Sequence, residues 1–259
     1  MKKNPSKSEN NTTVIIVRHG QTDFNFERRF QGQMDVPLNA LGREQGKQSA
    51  EVILKLMASF PESLVKSTQV FSSDLSRAAT TAETICDVLR TKYGNQISLR
   101  RDRLLREQNT GLLQGNTLDE FTARFPEQAQ SFNVEDLLHG LYHCRPPGPD
   151  AESKYDVAIR TREFMKTTLI PAVTKMEGGL FIVCGHGWAL NVLMDLMSAV
   201  LKSSDPYVGN GDVIVTSSHG DLGLRTPIAC ELEIGCGFQV LQHIEVGVRI
   251  GHVVPAKVA

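Results

Sequence analysis

The amino-acid sequence predicts an α/β domain with a mostly parallel central sheet, flanking helices and an irregular or helical cap over the carboxyl ends of the strands. The first observation is a pair of continuously apolar segments, Val14–Val17 and Leu180–Cys184, which is the pattern of strands buried on both faces. The second is that strand-like and helix-like segments alternate along most of the chain, as they do when helices connect parallel strands.

The elements of the amino-terminal half follow from local signals. Asn39 has the residue type of a helix N-cap and precedes an amphipathic stretch that Pro61 ends. Gln69–Ser73 reads as a short strand. We expect Ser73 or Asp74 to cap the next helix, whose apolar residues from Leu75 to Leu89 lie along one face.

The middle of the chain is less regular. Ile97–Leu99 is predicted to be a short strand, and residues 105–150 are predicted to form the cap. Within the cap, Asn116–Phe125 has helical character and is followed by proline. Ser153 is expected to cap a long helix that extends to about Ile170.

The carboxyl-terminal part contains the second buried strand and a helix predicted over Ala189–Val200. Residues 201–225 are rich in Ser, Gly and Asp, so they are interpreted as an excursion from the core. Further strands are predicted at Val213–Thr216, Ile228–Ile234 and Val240–Ile244.

Length and composition indicate a single domain, residues 13–259, after a disordered tail of residues 1–12. The net charge of −1 argues against nucleic-acid binding and polybasic membrane binding. No apolar run approaches the ~18 residues that a membrane-spanning helix needs. Five cysteines without zinc spacing are interpreted as reduced thiols of a cytoplasmic protein. An organelle address in the tail and the oligomeric state stay open, with a homodimer as one option.

The two buried strands end in similar residues. The first runs into Arg18-His19-Gly20 and the second into Gly185-His186-Gly187. Ligands of open α/β sheets bind beyond the carboxyl ends of the strands, so both imidazoles are candidate site residues. The glycine after each histidine, Gly20 and Gly187, allows the backbone to approach a ligand closely.

The arginine beside His19 favours an anionic ligand over a metal ion. Guanidinium groups bind phosphate oxygens in a forked geometry, and Arg18 and Arg77 are both placed to reach the same edge of the sheet. A metal site is disfavoured because the two histidines lack a recognisable third ligand and the spacing of known metal motifs. No metal and no organic cofactor are therefore expected.

Several segments together carry a resemblance to a known family. These segments are RHGQT (18–22) with Asn25, QGQMDVPLNALGREQ (31–45), SSDLSRAATTAETI (72–85), LREQNTGLLQG (105–115), Glu152-Ser153 and GHGWAL (185–190). In this order they resemble the motifs of the histidine phosphatase superfamily (phosphoglycerate mutase-like). The departures are Gln114 where glutamate is usual, Ala151 where glycine is usual, and Gly185 where serine is usual.

The resemblance implies a metal-independent mechanism that passes through a phosphohistidine. It assigns His19 as the nucleophile and Glu107 as the general acid and base. It assigns the binding of the phosphoryl group to Arg18, Arg77, His186 and Asn25. It assigns the substrate side of the site to Gln31, Gly32 and Gly187.

Within this family the sequence favours a phosphatase over a phosphoglycerate mutase. Thr110 stands where mutases have tyrosine, Leu118 stands where they have lysine, and residues 107–150 contain no pair of adjacent arginines. The predicted substrate is a small phosphate ester. A mutase, a non-catalytic member that only binds a phosphorylated ligand, and a metal-dependent hydrolase are the alternatives.

Overall fold

The computed structural model describes the central part of the chain and short pieces of its carboxyl-terminal end. The described residues are 12–139, 142–176, 179–197, 213–218, 222–223 and 233–234. Among them, no helix combines the length and the apolar character needed to cross a membrane.

A five-stranded sheet with the order β3-β2-β4-β1-β5 forms the centre. Four neighbouring strands are parallel, and β5 pairs with β1 in the antiparallel direction. The bounds are β1 Thr12–Arg18, β2 Gln69–Ser72, β3 Ser98–Arg101, β4 Gly179–Gly185 and β5 Val213–Ser218, with a separate short pair, β6 Leu222–Gly223 and β7 Glu233–Ile234. The predicted α/β class and mostly parallel sheet are confirmed.

Helices connect the strands. Their bounds are α1 Asp23–Phe26, α2 Ala40–Met57, α3 Glu62–Lys66, α4 Ser76–Tyr93, α5 Leu118–Arg124, α6 Pro126–Ser131, α7 Val134–Leu138, α8 Lys154–Phe164, α9 Ile170–Lys175 and α10 Gly187–Met197. A π-helical turn, Met165–Leu169, joins α8 to α9, so the helix that begins after Ser153 runs past the predicted end at Ile170. The predicted caps Asn39 and Ser153 are confirmed.

The central strands are continuously apolar because helices cover both of their faces. Val14 and Ile16 of β1 pack in one core cluster with residues of α8 and α10. Ile15 and Val17 point to the other side and pack with residues of α2 and α4. All four side chains are fully buried. Because burial of apolar surface contributes about 25 cal/mol per Å² to the free energy of unfolding, β1 is a large contributor to stability.

The cap has a small core of its own, which we call the cap cluster: Leu113, Phe121 and Leu137. Its aromatic residues Phe125 and Phe132 pack around this cluster, and so does Trp188 from the first turn of α10. The cap cluster therefore contacts α10 through Trp188 and the loop after α1 through Phe30.

The predicted cap of α4 is wrong. The N-cap position is Leu75, whose side chain cannot cap, and the Ser76 amide donates instead to the Asp35 carboxylate at 2.7 Å. Asp74 forms a two-pronged ion pair with Arg106 at 2.7 and 2.6 Å. A charged partner competes for the Asp74 carboxylate, and a carboxylate from another loop takes over the capping role.

Two predicted boundaries also change. Strand β1 begins at Thr12, a residue that the sequence assigned to the tail. The predicted excursion 201–225 contains β5, an edge strand of the central sheet, in agreement with the strand predicted at Val213–Thr216. Of the strand predicted at Ile228–Ile234, only β7 lies within the described residues. The strand predicted at Val240–Ile244 and residues 1–11 lie outside them.

Candidate active site

The two strand-end histidines lie side by side. Strands β1 and β4 are parallel neighbours in a register that pairs Arg18 with Gly185, so His19 and His186 leave the sheet together. The His19 amide donates to the Gly185 carbonyl at 3.0 Å, and the centroids of the two imidazole rings are 5.1 Å apart. Both side chains are buried.

One hydrogen bond determines which nitrogen of His19 is available for attack. Nδ1 lies 2.6 Å from the carbonyl oxygen of Gly20. A carbonyl oxygen only accepts hydrogen bonds, so Nδ1 carries the proton in the neutral ring. Nε2 then holds the lone pair, and it is the nitrogen that can act as a nucleophile.

Burial keeps both imidazoles neutral. It is the main cause that lowers the pKa of His19 well below its usual value, and the charges of Arg77 and Arg18 lower it further. Burial, followed by Arg77 and His19, lowers the pKa of His186 in the same direction. A neutral His19 has the protonation state that a nucleophile requires.

These lowered pKa values predict a loss of stability in acid. Below a pH of about 6.5 both histidines are protonated in the unfolded chain, whereas in the folded protein they stay neutral. As the pH falls, the free energy of unfolding therefore decreases by up to about 1.4 kcal/mol per pH unit for each histidine. Urea unfolding at pH 7.5 and pH 5.5 measures this slope. The slope of the His186→Gln variant should be shallower than that of the unmodified protein.

The matched control is His139→Gln, because His139 is exposed at the end of α7. This variant should keep the slope of the unmodified protein. Equal slopes for all three proteins would contradict the assignment of the acid sensitivity to the buried pair.

Two arginines flank the histidines. The guanidinium of Arg18 lies against Gly187, where an added Cβ would approach its Cζ to 3.2 Å. Arg77 is fully buried and donates to the carbonyls of Gly32 and Met34 at 2.8 and 2.7 Å. Burial lowers the pKa of Arg77 to about 10, so it remains a cation at neutral pH.

Glu107 is held against the start of α10. Its carboxylate accepts hydrogen bonds from the amides of Trp188 at 3.3 Å and Ala189 at 3.2 Å, and also from Gln108 at 2.9 Å. The first amides of a helix have no partner within the helix, and they attract negative charge. Because α10 begins directly after His186, this contact brings the predicted acid to the histidine pair.

The loop after β1 places the other predicted residues. The side-chain oxygen of Asn25 accepts from the amide of Thr22 at 3.1 Å and lies 3.0 Å from the Thr22 hydroxyl. The Thr22 hydroxyl also lies 2.8 Å from Oε1 of Gln31. Gly32 has a φ of +51°, and a Cβ there would collide with the side chain of Gln114, so glycine is required at this turn.

These residues surround a cleft of about 180 Å³. Its lining residues are Arg18, His19, Asn25, Arg29, Phe30, Gln31, Gly32, Arg77, Glu107, Gln108, Thr110 and Trp188. Seven of the nine predicted site residues thus face one cavity. The other two, His186 and Gly187, are buried and lie next to His19 and Arg18. Trp188 both packs on the cap cluster and lines the cleft.

Sequence reasoning missed the pair that supports Glu107. Arg160 of α8 donates to the carbonyls of Leu104, Arg106 and Glu107 at 2.9, 2.6 and 3.0 Å. It also forms a forked ion pair with Glu152 at 2.8 and 3.0 Å. The only signal was the Glu152-Ser153 motif, because nothing in the sequence distinguishes Arg160 from a surface arginine.

Arg160→Ala is therefore expected to loosen the loop that carries Glu107. We expect the free energy of unfolding to fall by about 2–4 kcal/mol, because Glu152 loses the partner of a largely buried ion pair. For the phosphatase reaction that the family resemblance implies, we also expect kcat/KM for alkyl phosphates to fall about 10- to 100-fold through misplacement of the predicted acid, and less for p-nitrophenyl phosphate. Steady-state kinetics with both esters measures the difference.

Arg162→Ala, on the same helix, is the matched control and should lack this split between substrates. A loss for Arg160→Ala that is equal on both esters would indicate a purely structural role.

Within the described residues, no three His, Cys, Asp or Glu side chains come together in a group that could hold a metal ion. Cys86, Cys144 and Cys184 are free thiols, and the other two cysteines lie outside the described residues.

The chain is similar in sequence to known proteins. In a comparison with protein families, residues 14–217 match the histidine phosphatase superfamily (branch 1). The protein named "Probable phosphoglycerate mutase GpmB" from Enterobacter sp. (strain 638) is 33% identical over 181 residues, which cover 70% of this chain and 72% of that protein. "Phosphoglycerate mutase-like protein 4" of Arabidopsis thaliana is 37% identical over 120 residues, but the match spans only 46% of either chain.

The fold also matches solved structures. The native structure of a mycobacterial glucosyl-3-phosphoglycerate phosphatase superposes with a TM-score of 0.62 at 27% sequence identity. The superposition covers 81% of this chain and 92% of that chain. The family match over residues 14–217 includes the strand ends that carry the candidate site.

Proposed function

The chain belongs to the histidine phosphatase superfamily, and from this membership we propose that it is a phosphomonoester hydrolase. It acts through a phosphohistidine intermediate on a small phosphorylated metabolite, a sugar phosphate or a similar ester, in the cytoplasm. The observation that carries this proposal is the convergence of His19, Arg18, Arg77 and Glu107 on one cleft.

The first half of the reaction forms the covalent intermediate. Nε2 of His19 attacks phosphorus, a P–N bond forms, and the bond between phosphorus and the ester oxygen breaks. Glu107 in its protonated form donates its proton to the departing oxygen, which leaves as an alcohol. Proton donation matters most for alkoxide leaving groups, which are strongly basic.

The second half returns the enzyme to its starting state. Glu107, now a carboxylate, takes a proton from water while the water oxygen attacks phosphorus. The P–N bond breaks, inorganic phosphate leaves, and His19 regains its lone pair. The sum is hydrolysis of one ester bond by one water molecule, without a redox step or a metal ion.

The cations and His186 stabilise the transferring group. Charge spreads over the three equatorial oxygens of the phosphoryl group, and fixed positive groups lower the barrier most when they already point there. Arg18 and Arg77 supply two such charges beside His19. Among the described residues, neither ring nitrogen of His186 has a hydrogen-bond partner, so one of them can donate to a phosphoryl oxygen.

A phosphoglycerate mutase is the second candidate, because curated relatives carry that name. A mutase must hold a substrate with a second anionic group, which calls for cations beyond those that bind the phosphoryl group. In the described part of the cleft the one further cation is Arg29, and Glu27 and Glu120 already pair with it. This arrangement favours hydrolysis over phosphoryl return.

The test is turnover of phosphate esters by the purified full-length chain. We expect hydrolysis of p-nitrophenyl phosphate, no inhibition by a chelator, and a phosphoenzyme that is labile in acid and stable in alkali. Incubation with 3-phosphoglycerate, with and without 2,3-bisphosphoglycerate, separates the candidates. Rapid formation of 2-phosphoglycerate would favour the mutase. Turnover that a chelator inhibits would favour metal-dependent hydrolysis. Binding of phosphate esters without turnover would favour a non-catalytic member of the family.

A further inference from the structure

The cleft contains two uncharged polar residues, Gln108 and Thr110, to which neither the proposed mechanism nor the family resemblance gives a role. Gln108 is fully buried and Thr110 is 5% exposed, and both line the cleft next to Glu107. Among the described residues, Oε1 of Gln108 and Oγ1 of Thr110 have no hydrogen-bond partner. Buried polar atoms are rarely left without one, because each costs about 1–3 kcal/mol.

The orientation of the Gln108 amide is determined by its other end. Its Nε2 donates to the backbone carbonyl of Glu152 at 2.5 Å, so the remaining atom is the acceptor oxygen. An acceptor oxygen binds a hydroxyl group, which can donate. A carboxylate or a phosphate dianion can only accept hydrogen bonds, so its oxygen would face Oε1 of Gln108 without a proton between them.

Arg29 is the cation of the cleft that could have received a second anion. Four hydrogen bonds occupy its guanidinium, two to Glu120, one to Glu27 and one to the Gly115 carbonyl. A guanidinium has five N–H donors, so almost all of them are used. Together the arginine and its two carboxylates carry a net charge of −1, which disfavours an anionic group on the substrate.

From these contacts we infer that the alcohol part of the substrate is an uncharged polyol of the sugar or glycerol class, whose hydroxyl groups bind Gln108 and Thr110. This inference rests on the proposed function and specifies its substrate. The phosphoryl group occupies the side of the cleft with Arg18 and Arg77. The alcohol occupies the side with Gln108 and Thr110, and the aromatic residues Phe30 and Trp188 line the same cleft.

The first test compares two esters that differ at one carbon. Glycerol 3-phosphate has a CH2OH group where 3-phosphoglycerate has a carboxylate, and the two are otherwise alike. We expect kcat/KM to be at least about tenfold larger for glycerol 3-phosphate, because a site that is built for hydroxyl groups rejects a group that cannot donate. Equal values, or a preference for 3-phosphoglycerate, would overturn the inference.

The second test removes one hydroxyl from the protein. Thr110→Val keeps the shape of the side chain, and we expect the ratio of kcat/KM for glycerol 3-phosphate over propyl phosphate to fall about tenfold. Thr122→Val, an exposed threonine of α5 outside the cleft, is the matched control and should keep the ratio. An unchanged ratio in Thr110→Val would refute the proposed contact.

A binding measurement separates this inference from the proposed function. Calorimetry with the His19→Ala variant reads the affinity without turnover, and we expect glycerol 3-phosphate to bind about tenfold more tightly than 3-phosphoglycerate. If no ester were hydrolysed by the unmodified protein but this preference held, the hydrolase proposal would fail and the polyol site would stand. If esters were hydrolysed but 3-phosphoglycerate bound as well or better, the polyol site would fail alone.

Discussion

Replacing His19 by alanine is expected to lower kcat/KM for p-nitrophenyl phosphate by about 10³-fold or more, because the nitrogen that forms the covalent intermediate is removed. Among the described residues that line the cleft, His19 is the only histidine, and the proposed mechanism assigns His186 to binding of the phosphoryl group. The measurement is steady-state kinetics together with trapping of the acid-labile phosphoenzyme, which should disappear.

The control for this experiment is His143→Ala, because His143 is exposed in the cap. Its kinetics should match those of the unmodified protein. The melting temperature of His19→Ala has to be measured alongside, since the removed ring is buried against His186. A folded His19→Ala protein that keeps a tenth of the activity would show that the nucleophile lies elsewhere.

The second large effect is expected for Glu107→Gln, and it should depend on the leaving group. Alkyl phosphates need a proton on the departing oxygen, so we expect kcat/KM to fall by about 10²- to 10⁴-fold. The nitrophenolate ion leaves without a proton, so the loss for p-nitrophenyl phosphate should be about tenfold or less. The ratio kcat/KM is the right quantity because it reports the first transfer and not the later hydrolysis of the intermediate.

The substitution to glutamine keeps the position of the side chain. Its amide oxygen can still accept from the Trp188 or Ala189 amide at the start of α10. Glu127→Gln, an exposed glutamate of α6, provides the matched control. Equal losses on both esters in Glu107→Gln would mean that Glu107 positions the site and does not transfer the proton.

The connection between β4 and α10 explains how a few residues produce this chemistry. Strand β4 delivers His186 beside His19, and the glycine that follows leaves room for the guanidinium of Arg18. The first amides of α10 then hold Glu107, which comes from the cap. The proposed nucleophile, a cation and the proposed acid thus lie around one strand-to-helix turn.

Many individual residues of the site were predicted from the sequence, because each of them stands in a recognisable local pattern. Arg18 and His19 are polar residues at the end of a buried apolar strand, and core packing alone does not explain them. Departures of this kind from the local pattern mark functional positions. The motif set then pointed to Glu107, which composition alone would not have singled out. The roles of these residues stay predictions until the variants are measured.

Other features left no local signal. Arg160 and Glu152 form their ion pair across eight residues of chain and reach the carbonyls of a distant loop. The capping of α4 by Asp35, and the capture of Asp74 by Arg106, likewise depend on which loops meet. Except for the Arg160–Glu152 pair itself, these contacts join groups that are more than 30 residues apart in sequence, so no short window along the chain contains them.

The sequence by itself determined the α/β class, the buried strands and the identity of the groups that can carry phosphoryl chemistry, because periodicity and residue type act over short distances. Only the tertiary structure decided that β1 and β4 are neighbours, that Glu107 rests on α10, and that the charge of Arg29 is already paired. These outcomes depend on packing between remote segments. Distance, burial and competition among charged partners control that packing, and these quantities exist only once the chain has folded.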